Sequence, residues 1–529
     1  MKNNFAWLAG FALIAGFAQA ADQSAAAKPN IVFILADDLG YGDVHRLNPE
    51  RCKIATPCLD KLAAQGMAFT DAHSSSAVCT PTRYSILTGR YNWRSRLQSG
   101  VLKGFSPPLI APARLTVAEL LKQQGYHTAC IGKWHLGLTF SETNGQRNLA
   151  GTIADGPNQH GFDYFFGIAA SLDMEPFAFI ENDHFTQTPS VLKTFKRPGV
   201  AAPDFEAVEV LPELVRQART FITNNTAGSR PFFLYLPLTS PHSPLVPTKE
   251  WQGKSGLGDY GDFVMQTDWA VGEVLAALDR AGVAGNTLVL LTSDNGVAPY
   301  AGVGPEAPKQ LEGKGPSASQ QKTGNLQRYQ ELEAAGHFSS HLFRGHKSDI
   351  WDGGHRIPLL ARWPGKIQAG SASSQTVGLT DFMATCADIL QVKLPDNAAE
   401  DSVSLLPVLL GKATTPVHDA VVFHSINGSF AIQQGNWKLE LCPDSGGWGE
   451  PKPGSAEARG LPPVQLYDMA TDIGERTNLC AAHPEIVTRL TKLLEKYVAD
   501  GRSTPGRQQT NDVEIKLRKT IGKGKADGD

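Results

Sequence analysis

Short, unbroken apolar runs separated by amphipathic stretches recur along this chain, and their spacing leaves few architectures open. The runs Asn30 to Ala36, His127 to Ile131, Phe232 to Leu238, Thr287 to Ser293 and Pro358 to Trp363 are rich in Val, Ile, Leu and Phe. Runs of that length without polar alternation read as strands buried on both faces. Between them the periodicity predicts helices over Thr116 to Gln124, Leu211 to Asn224, Phe263 to Ala281 and Asp381 to Leu390, the first stopped at Gly125. Strands alternating with helices specify an α/β fold, with a large mostly parallel sheet sandwiched by helices. After Pro416 the texture changes. Val421 to Phe423, Phe430 to Gln433 and Trp437 to Leu441 read as short strands and Pro484 to Val498 as a helix, a smaller C-terminal α+β subdomain with an antiparallel sheet. A chain of 529 residues also exceeds the roughly 250 to 300 that one core ordinarily fills.

The expected division is a leader over residues 1–20, a main α/β domain over 21–415, the α+β subdomain over 416–502 and a polar tail over 503–529 that frays. Two stretches, Phe140 to Gln159 and Gly296 to about His341, read as long loops, which in compact domains are functional or disordered. The leader is read from Lys2, the apolar run Phe5 to Phe17 and the small residues Ala18 to Ala21, the pattern of a signal peptide cleaved after Ala20. Its apolar run is shorter than the about 20 residues that span a bilayer. No later stretch is long and apolar enough, so the expectation is an exported protein, periplasmic or secreted, with no membrane span. Seven cysteines are too few for a disulfide scaffold. An odd count leaves at least one thiol unpaired; Cys52 with Cys58 and Cys442 with Cys480 are possible pairs. The formal charge of −3 gives no net pull toward nucleic acid, and none is expected as a partner.

Two predicted strands run straight into oxygen-rich pairs, Asp37–Asp38 and Asp294–Asn295. Open α/β sheets bind ligands at the carboxyl ends of their strands. Three carboxylates and an amide from distant strands are what a hard divalent cation takes. Taken singly, Asp-Asp and Asp-Asn-Gly are also ordinary turn starters; their matched placement favours the metal.

A second constellation is Cys79-Thr80-Pro81-Thr82-Arg83, followed by Tyr84 to Thr88, Gly89 and Arg90. A residue before proline is disfavoured in helical geometry, proline suits the first helical position and glycine suits the stop, which places Cys79 at a helix entrance. Unpaired backbone donors favour an anion there, and Arg83 one turn later adds a fork suited to sulfate or phosphate. A lone Cys is more often a small buried hydrophobe, but that reading leaves the following Pro and Arg unexplained.

CTPTRYSILTGR resembles the CxPxR signature of type I sulfatases, whose Cys is converted after translation to formylglycine. PNIVFILADDLGYGD, GKWHLG, SPHSP, SDNG, KSDIWDGGHRIPLLARWPG and LYDMATDIGERTNL look like further family segments in family order. The resemblance covers roughly Lys28 to Arg502, and DAHSSSAVCTPTRYSILTGRYNWR looks most like the carbohydrate branch that includes N-acetylgalactosamine-6-sulfatases. It implies the alkaline-phosphatase-like sulfatase fold and hydrolysis of a sulfate ester, on a sulfated carbohydrate such as a 6-sulfated galactose or N-acetylgalactosamine unit and on small aryl sulfates. Asp37, Asp38, Asp294 and Asn295 match the family's Ca²⁺ ligands, with modified Cys79 as a further ligand. Arg83, Lys133, His135, His242 and Lys347 match residues that hold the formylglycine and the sulfate. By the same resemblance His135 is the base, His242 the acid for the leaving alcohol with Lys347 in support, and a formylglycine-generating maturase is a required partner.

Asp173, Glu175 and His424 are candidates to line the leaving-group pocket, and for these a surface carboxylate or a strand-edge His is an equal alternative. Two other functions are compatible with this scaffold. A phosphate or phosphonate monoester hydrolase on the same scaffold differs mainly in the charge of its substrate, although too few clustered His and Asp residues are present for a di-zinc centre. A non-catalytic binder of sulfated glycans predicts loss of the nucleophile or of a cation ligand, and none is missing.

Overall fold

The computed structural model describes Met1 and residues 28–226, 230–302 and 327–518. A ten-stranded sheet runs through the molecule, built from Asn30–Ala36 (β1), Met67–Phe69 (β2), His127–Lys133 (β3), Tyr164–Ile168 (β4), Ile180–Glu181 (β5), His184–Phe185 (β6), Phe232–Pro237 (β7), Thr287–Ser293 (β8), Leu359–Arg362 (β9) and Ser371–Ser373 (β10). Its order is β6-β5-β4-β3-β7-β1-β8-β9-β2-β10. The five strands β4 to β8 in the middle of that order are mutually parallel, and β9 runs against β8. Every residue of β7 and β8 is buried, as their continuous apolar runs require.

The principal helices are Pro57–Ala64 (α1), Cys79–Thr88 (α2), Val117–Gln123 (α3), Ala207–Asn224 (α4), Asp259–Arg280 (α5), Phe382–Ile389 (α6) and Pro484–Ala499 (α7). They pack in two groups, α1 and α4 with α5, and α2 and α3 with α6. Thr116 caps α3 by accepting the Glu119 amide at 3.1 Å. Helix α4 starts four residues before its predicted entry and runs through Pro212. Its buried stripe of Ala207, Val210, Leu211, Leu214 and Val215 continues upstream of the proline, and that packing outweighs one missing backbone bond.

A separate antiparallel sheet follows in simple up-and-down order, Val421–His424 (β11), Phe430–Gln434 (β12), Trp437–Glu440 (β13) and Gln465–Asp468 (β14), and α7 packs on β12 and β13. Its last strand has no counterpart in the sequence reading. Lys438 of β13 is fully buried and ties this sheet to the main body, donating to Asp352 Oδ1 at 2.8 Å, Glu475 Oε1 at 2.6 Å and the Ile350 carbonyl at 3.2 Å.

Three local expectations are corrected. The stretch Phe140 to Gln159 is not plain loop; Thr139–Phe140 pairs with Ile153–Asp155 and Glu142–Thr143 with Gln146–Arg147. A hairpin of Val191–Phe195 and Arg197–Ala201 was also not foreseen. All seven cysteines are free, and Cys52 and Cys442 give their thiols to backbone carbonyls of Ile54 and Asp444, both at 3.3 Å. The tail does not fray through 512: Arg90 holds Asp512, and Arg94 NH1 holds Asn511 at 2.9 Å. The expected leader, apart from Met1, and residues 303–326 and 519–529 lie outside the described residues. No helix among the described residues is long and apolar enough to cross a membrane.

Candidate active site

The register of the central strands sets four chain reversals at one level. Ala36 lies opposite Ser293 and Leu35 opposite Pro237, so the residues following β1, β7 and β8 emerge together, beside the end of β3. Asp37–Asp38, Ser240–His242, Asp294–Asn295 and Lys133–His135 all come from these ends. The Asp37 amide donates to the Ser240 carbonyl at 3.0 Å and the Asp38 amide to Asp294 Oδ1 at 3.2 Å. Asp38 and His135 hold left-handed backbones, with φ of 67° and 57°. Asp and His tolerate that region better than most residues. Gly296 closes the arrangement: a Cβ there would lie 1.9 Å from the Gly353 carbonyl oxygen.

Helix α2 begins at Cys79 itself, with extended Val78 as its cap and Gly89 at φ 62° ending it. Thr80 is therefore helical and Pro81 occupies the third position, not the first. The first turn has no intrahelical acceptor for its amides, so a proline there removes no bond. Arg83 follows one turn later, fully buried. Its Nε and NH2 donate to Asp294 Oδ2 at 3.0 and 2.6 Å, and NH1 donates to the Lys133 carbonyl at 3.0 Å. The fork expected to meet an anion is thus engaged with Asp294 and the end of β3.

Carboxylate oxygens of Asp37 and Asp294 and the sulfur of Cys79 lie within 4.8 Å of one another, as do ligand atoms of Asp37, Asp38 and His242. Lys133 Nζ sits 2.7 Å from Asp37 Oδ2, and Lys347 Nζ lies 2.7 and 2.8 Å from the two oxygens of Asp38. Asn295 Nδ2 donates to Asp38 Oδ1 at 2.6 Å, which turns its own Oδ1 away from that carboxylate. Asn295 Oδ1 and Asp37 Oδ1 are buried acceptors without a hydrogen-bond partner. Two orphaned oxygens on two of the four expected ligands are what an oxygen-seeking cation satisfies, so the donor set fits Ca²⁺.

The electrostatics agree. Burial opposes ionisation of Asp37 and Asp38, but Lys133 beside Asp37 and Lys347 beside Asp38 hold both below the usual carboxylate range. Asp294 is pushed up to about 6 by burial and by Asp37, against the pull of Arg83. Burial also raises the Cys79 thiol, so the unmodified sulfur is a poor nucleophile.

His135 donates Nε2–H to the Leu102 carbonyl at 2.7 Å, since a carbonyl only accepts. Its Nδ1 is then the basic nitrogen, buried and without a hydrogen-bond partner. Burial, with Lys133 and Arg83 nearby, keeps this ring neutral. His242 donates Nδ1–H to the Ser243 carbonyl at 2.6 Å, leaving Nε2 3.7 Å from Asp38 Oδ2.

Ten predicted residues thus converge. The three pocket candidates are held by other contacts, and the His424 carbonyl accepts the Ala77 amide at 2.9 Å, two residues before Cys79. Asp173 is buried and lies 3.5 Å from Arg197; Glu175 is exposed and accepts the Val200 amide at 2.9 Å; His424 is buried, with Nδ1 3.3 Å from Asn92 Nδ2. Sequence reading missed Tyr300, whose hydroxyl donates to Asp38 Oδ2 and whose ring stands edge-on to His242 with centroids 5.6 Å apart. It also missed Lys196, placed over the Tyr300 ring at 4.6 Å and donating to Ser243 Oγ. A second trio, His73, Asp352 and His355, also brings ligand atoms within 4.8 Å, but the Lys438 ammonium lies 3.1 Å from His355 Nε2 and already supplies the positive charge there.

Residues 29–392 match the family model described as Sulfatase. The chain is 33% identical over 515 residues to an N-acetylgalactosamine-6-O-sulfatase of Bacteroides thetaiotaomicron, with 88% of this chain and 93% of that one covered. It is 31% identical over 519 residues to arylsulfatase A of Homo sapiens, covering 93% and 92%. Among solved structures, the 6S-sulf protein of a glycosaminoglycan-metabolising locus of Bacteroides thetaiotaomicron superposes with a TM-score of 0.76 at 32% identity, over 89% of this chain and 99% of that one. A Pseudoalteromonas sulfatase, with a TM-score of 0.65 at 23% identity over 89% and 90%, shares the fold. The chain belongs to the sulfatase family and is a sulfuric ester hydrolase.

Proposed function

We propose that this enzyme is an exported carbohydrate sulfatase that removes the 6-sulfate of an N-acetylgalactosamine or galactose unit and also cleaves small aryl sulfates. In this reading a maturase converts Cys79 to formylglycine, and Asp37, Asp38, Asp294 and Asn295 hold Ca²⁺. The catalytic unit is 21–415, with 416–502 as the smaller unit beside it. The observation that carries the reading is the meeting of Cys79, Asp37 and Asp294 within 4.8 Å at the end of a parallel sheet, under two lysine ammoniums. The sugar class is supported by the similarity to an N-acetylgalactosamine-6-O-sulfatase over most of both chains.

When present, the formylglycine supplies a hydrated-aldehyde hydroxyl as nucleophile and the cation supplies positive charge beside it. Everything else falls to the protein's own side chains. Lys133 and Lys347 present ammoniums to the sulfate oxygens in a site closed to water, where such charge is worth more than in bulk. Arg83 holds Asp294 and the Lys133 carbonyl in place. His135 offers a neutral, buried Nδ1 to take a proton; His242, whose neutral ring keeps its one proton on Nδ1 and whose pKa burial lowers, must first be protonated at Nε2 to serve as acid for the departing alcohol.

A panel of defined sulfated mono- and disaccharides tests the substrate. Sulfate release from 6-sulfated N-acetylgalactosamine or galactose is expected to exceed that from the 4-sulfated isomers by at least about tenfold in kcat/KM. Turnover confined to another sulfate position, or preference for nitrophenyl phosphate over nitrophenyl sulfate, overturns it.

A further inference from the structure

We propose that Trp448 is a stacking platform for the sugar ring joined to the sulfated unit, so that the enzyme takes a 6-sulfated unit within a disaccharide or longer chain in preference to the free monosaccharide. The inference rests on the carbohydrate-sulfatase reading above and adds a subsite to it.

Strands β13 and β14 are neighbours in the small sheet, yet residues 441–464 run between them as a long excursion. Hairpin connections commonly take about 2–5 residues, and much longer ones are functional or disordered. This one is ordered, and it closes on the segment that follows Lys347. The Ile350 amide donates to the Ser445 carbonyl at 2.8 Å, and the Trp448 amide donates to Ser348 Oγ and Asp349 Oδ1, both at 2.9 Å. The Gly449 amide adds a bond to Asp349 Oδ1 at 2.8 Å. That closeness requires the two glycines beside the tryptophan. A Cβ on Gly447 would lie 2.4 Å from the Ser348 carbonyl oxygen, and one on Gly449 would lie 2.4 Å from Asp349 Oδ2. The one side chain this clamped tripeptide carries is an indole.

A single exposed apolar side chain carries little meaning by itself. Its place in the fold gives it meaning here. Ser348, at φ 87°, donates its amide to the Ala77 carbonyl at 2.8 Å, two residues before Cys79, and its own carbonyl accepts the Ile426 amide at 3.0 Å. The Gly100 amide donates to the Ile426 carbonyl at 2.7 Å, and Leu102 just beyond is the residue that accepts His135 Nε2–H. Backbone bonds therefore run from Trp448 to Lys347 and Cys79 on one side and to His135 on the other. Lys347 and Cys79 are buried, whereas Trp448 is 41% exposed, so the sulfate is held at depth and the indole stands at the rim. Among the described residues no other ring, cation or hydrogen-bond acceptor engages that indole. A pyranose presents a face of C–H bonds, apolar enough to lie on a flat aromatic ring. A platform already fixed by its backbone loses little freedom when the sugar arrives.

The test compares sulfate release from N-acetylgalactosamine 6-sulfate with release from a disaccharide carrying that unit at its end. Wild type, Trp448→Ala, Trp448→Leu and Trp448→Phe are assayed, with thermal midpoints as a check on folding. Leucine keeps apolar bulk but has no flat face, which separates stacking from simple packing of the loop. Wild type is expected to favour the disaccharide in kcat/KM. The ratio of disaccharide to monosaccharide should fall about 5- to 20-fold in the Ala and Leu variants, chiefly through KM, and stay within about threefold of wild type in Trp448→Phe. In a Cys79→Ala background the disaccharide should change the intrinsic tryptophan emission, and Trp448→Phe should abolish that change; this arm decides the matter if the Ala and Leu variants do not fold. A ratio unaltered in Trp448→Ala or Trp448→Leu, equal loss on both sugars, no preference in wild type, or an emission change that survives Trp448→Phe overturns the proposal. If wild type releases sulfate from neither sugar, the substrate reading itself fails and takes this inference with it. If wild type acts on both and the ratio ignores Trp448, this inference alone fails.

Discussion

Asp294 ties helix α2 to the ends of two strands. One oxygen receives the Arg83 fork, the other receives the Asp38 amide, and the carboxylate lies beside Asp37 and Cys79. Burial first, and then the neighbouring Asp37, push the Asp294 carboxyl up to about 6, and a divalent cation would relieve the repulsion between them. Away from the site, His418 provides a cleaner electrostatic test. Burial alone would lower its pKa, but the Asp381 carboxylate 2.7 Å away more than offsets burial, and the net shift is upward. A histidine with a raised folded-state pKa adds stability that is fully present below its unfolded pKa and is lost as pH rises through the folded value. The stability deficit of His418→Gln, read from denaturant midpoints, is therefore expected to be larger at about pH 6 than at about pH 9. A deficit independent of pH would show that the pair contributes only through its hydrogen bond.

At the scale of elements, the junction between the two sheets depends on a buried ammonium. Lys438 on β13 meets Asp352 and Glu475, with Glu440 at 3.4 Å. Replacing it by Met leaves Glu475 and Glu440 buried without that ammonium, while Asp352 keeps Arg356 at 3.0 Å. Removing one partner of such a network costs about 3–5 kcal/mol. Urea unfolding of Lys438→Met should show a loss of that order, and Glu475→Gln in the same chain should recover part of it. Neutral behaviour of the single variant would mean that the carboxylates are protonated already. None of this was legible in the sequence, because a lysine in a short strand looks like any solvated lysine until the sheet is docked. The strands that carry the site were legible to the residue at β1 and β8, since continuous apolar runs ending in Asp admit one reading. The hairpin at 191–201 was not, as its strands are half exposed and hold Pro198 and Gly199. Tyr300 lay inside a stretch read as loop, and only tertiary packing places its hydroxyl on Asp38.

Across the whole molecule, a chain of formal charge −3 concentrates positive groups where an anion is to be bound. Arg83, Lys133 and Lys347 are all buried, each against carboxylates that the sheet register delivers. The near-neutral total excluded broad polyanion binding while leaving room for a pocket that selects one sulfate group. The remaining piece is the nucleophile. Burial raises the pKa of the Cys79 thiol and makes it a poor nucleophile, so the proposed chemistry calls for a changed Cys79. Mass spectrometry of the peptide containing Cys79, from enzyme whose turnover of nitrophenyl sulfate has been measured, tests this most directly. The account predicts an aldehyde mass in place of the thiol mass, activity proportional to the converted fraction, and loss of turnover in Cys79→Ala. Full activity from chains whose Cys79 is an unmodified thiol would contradict it.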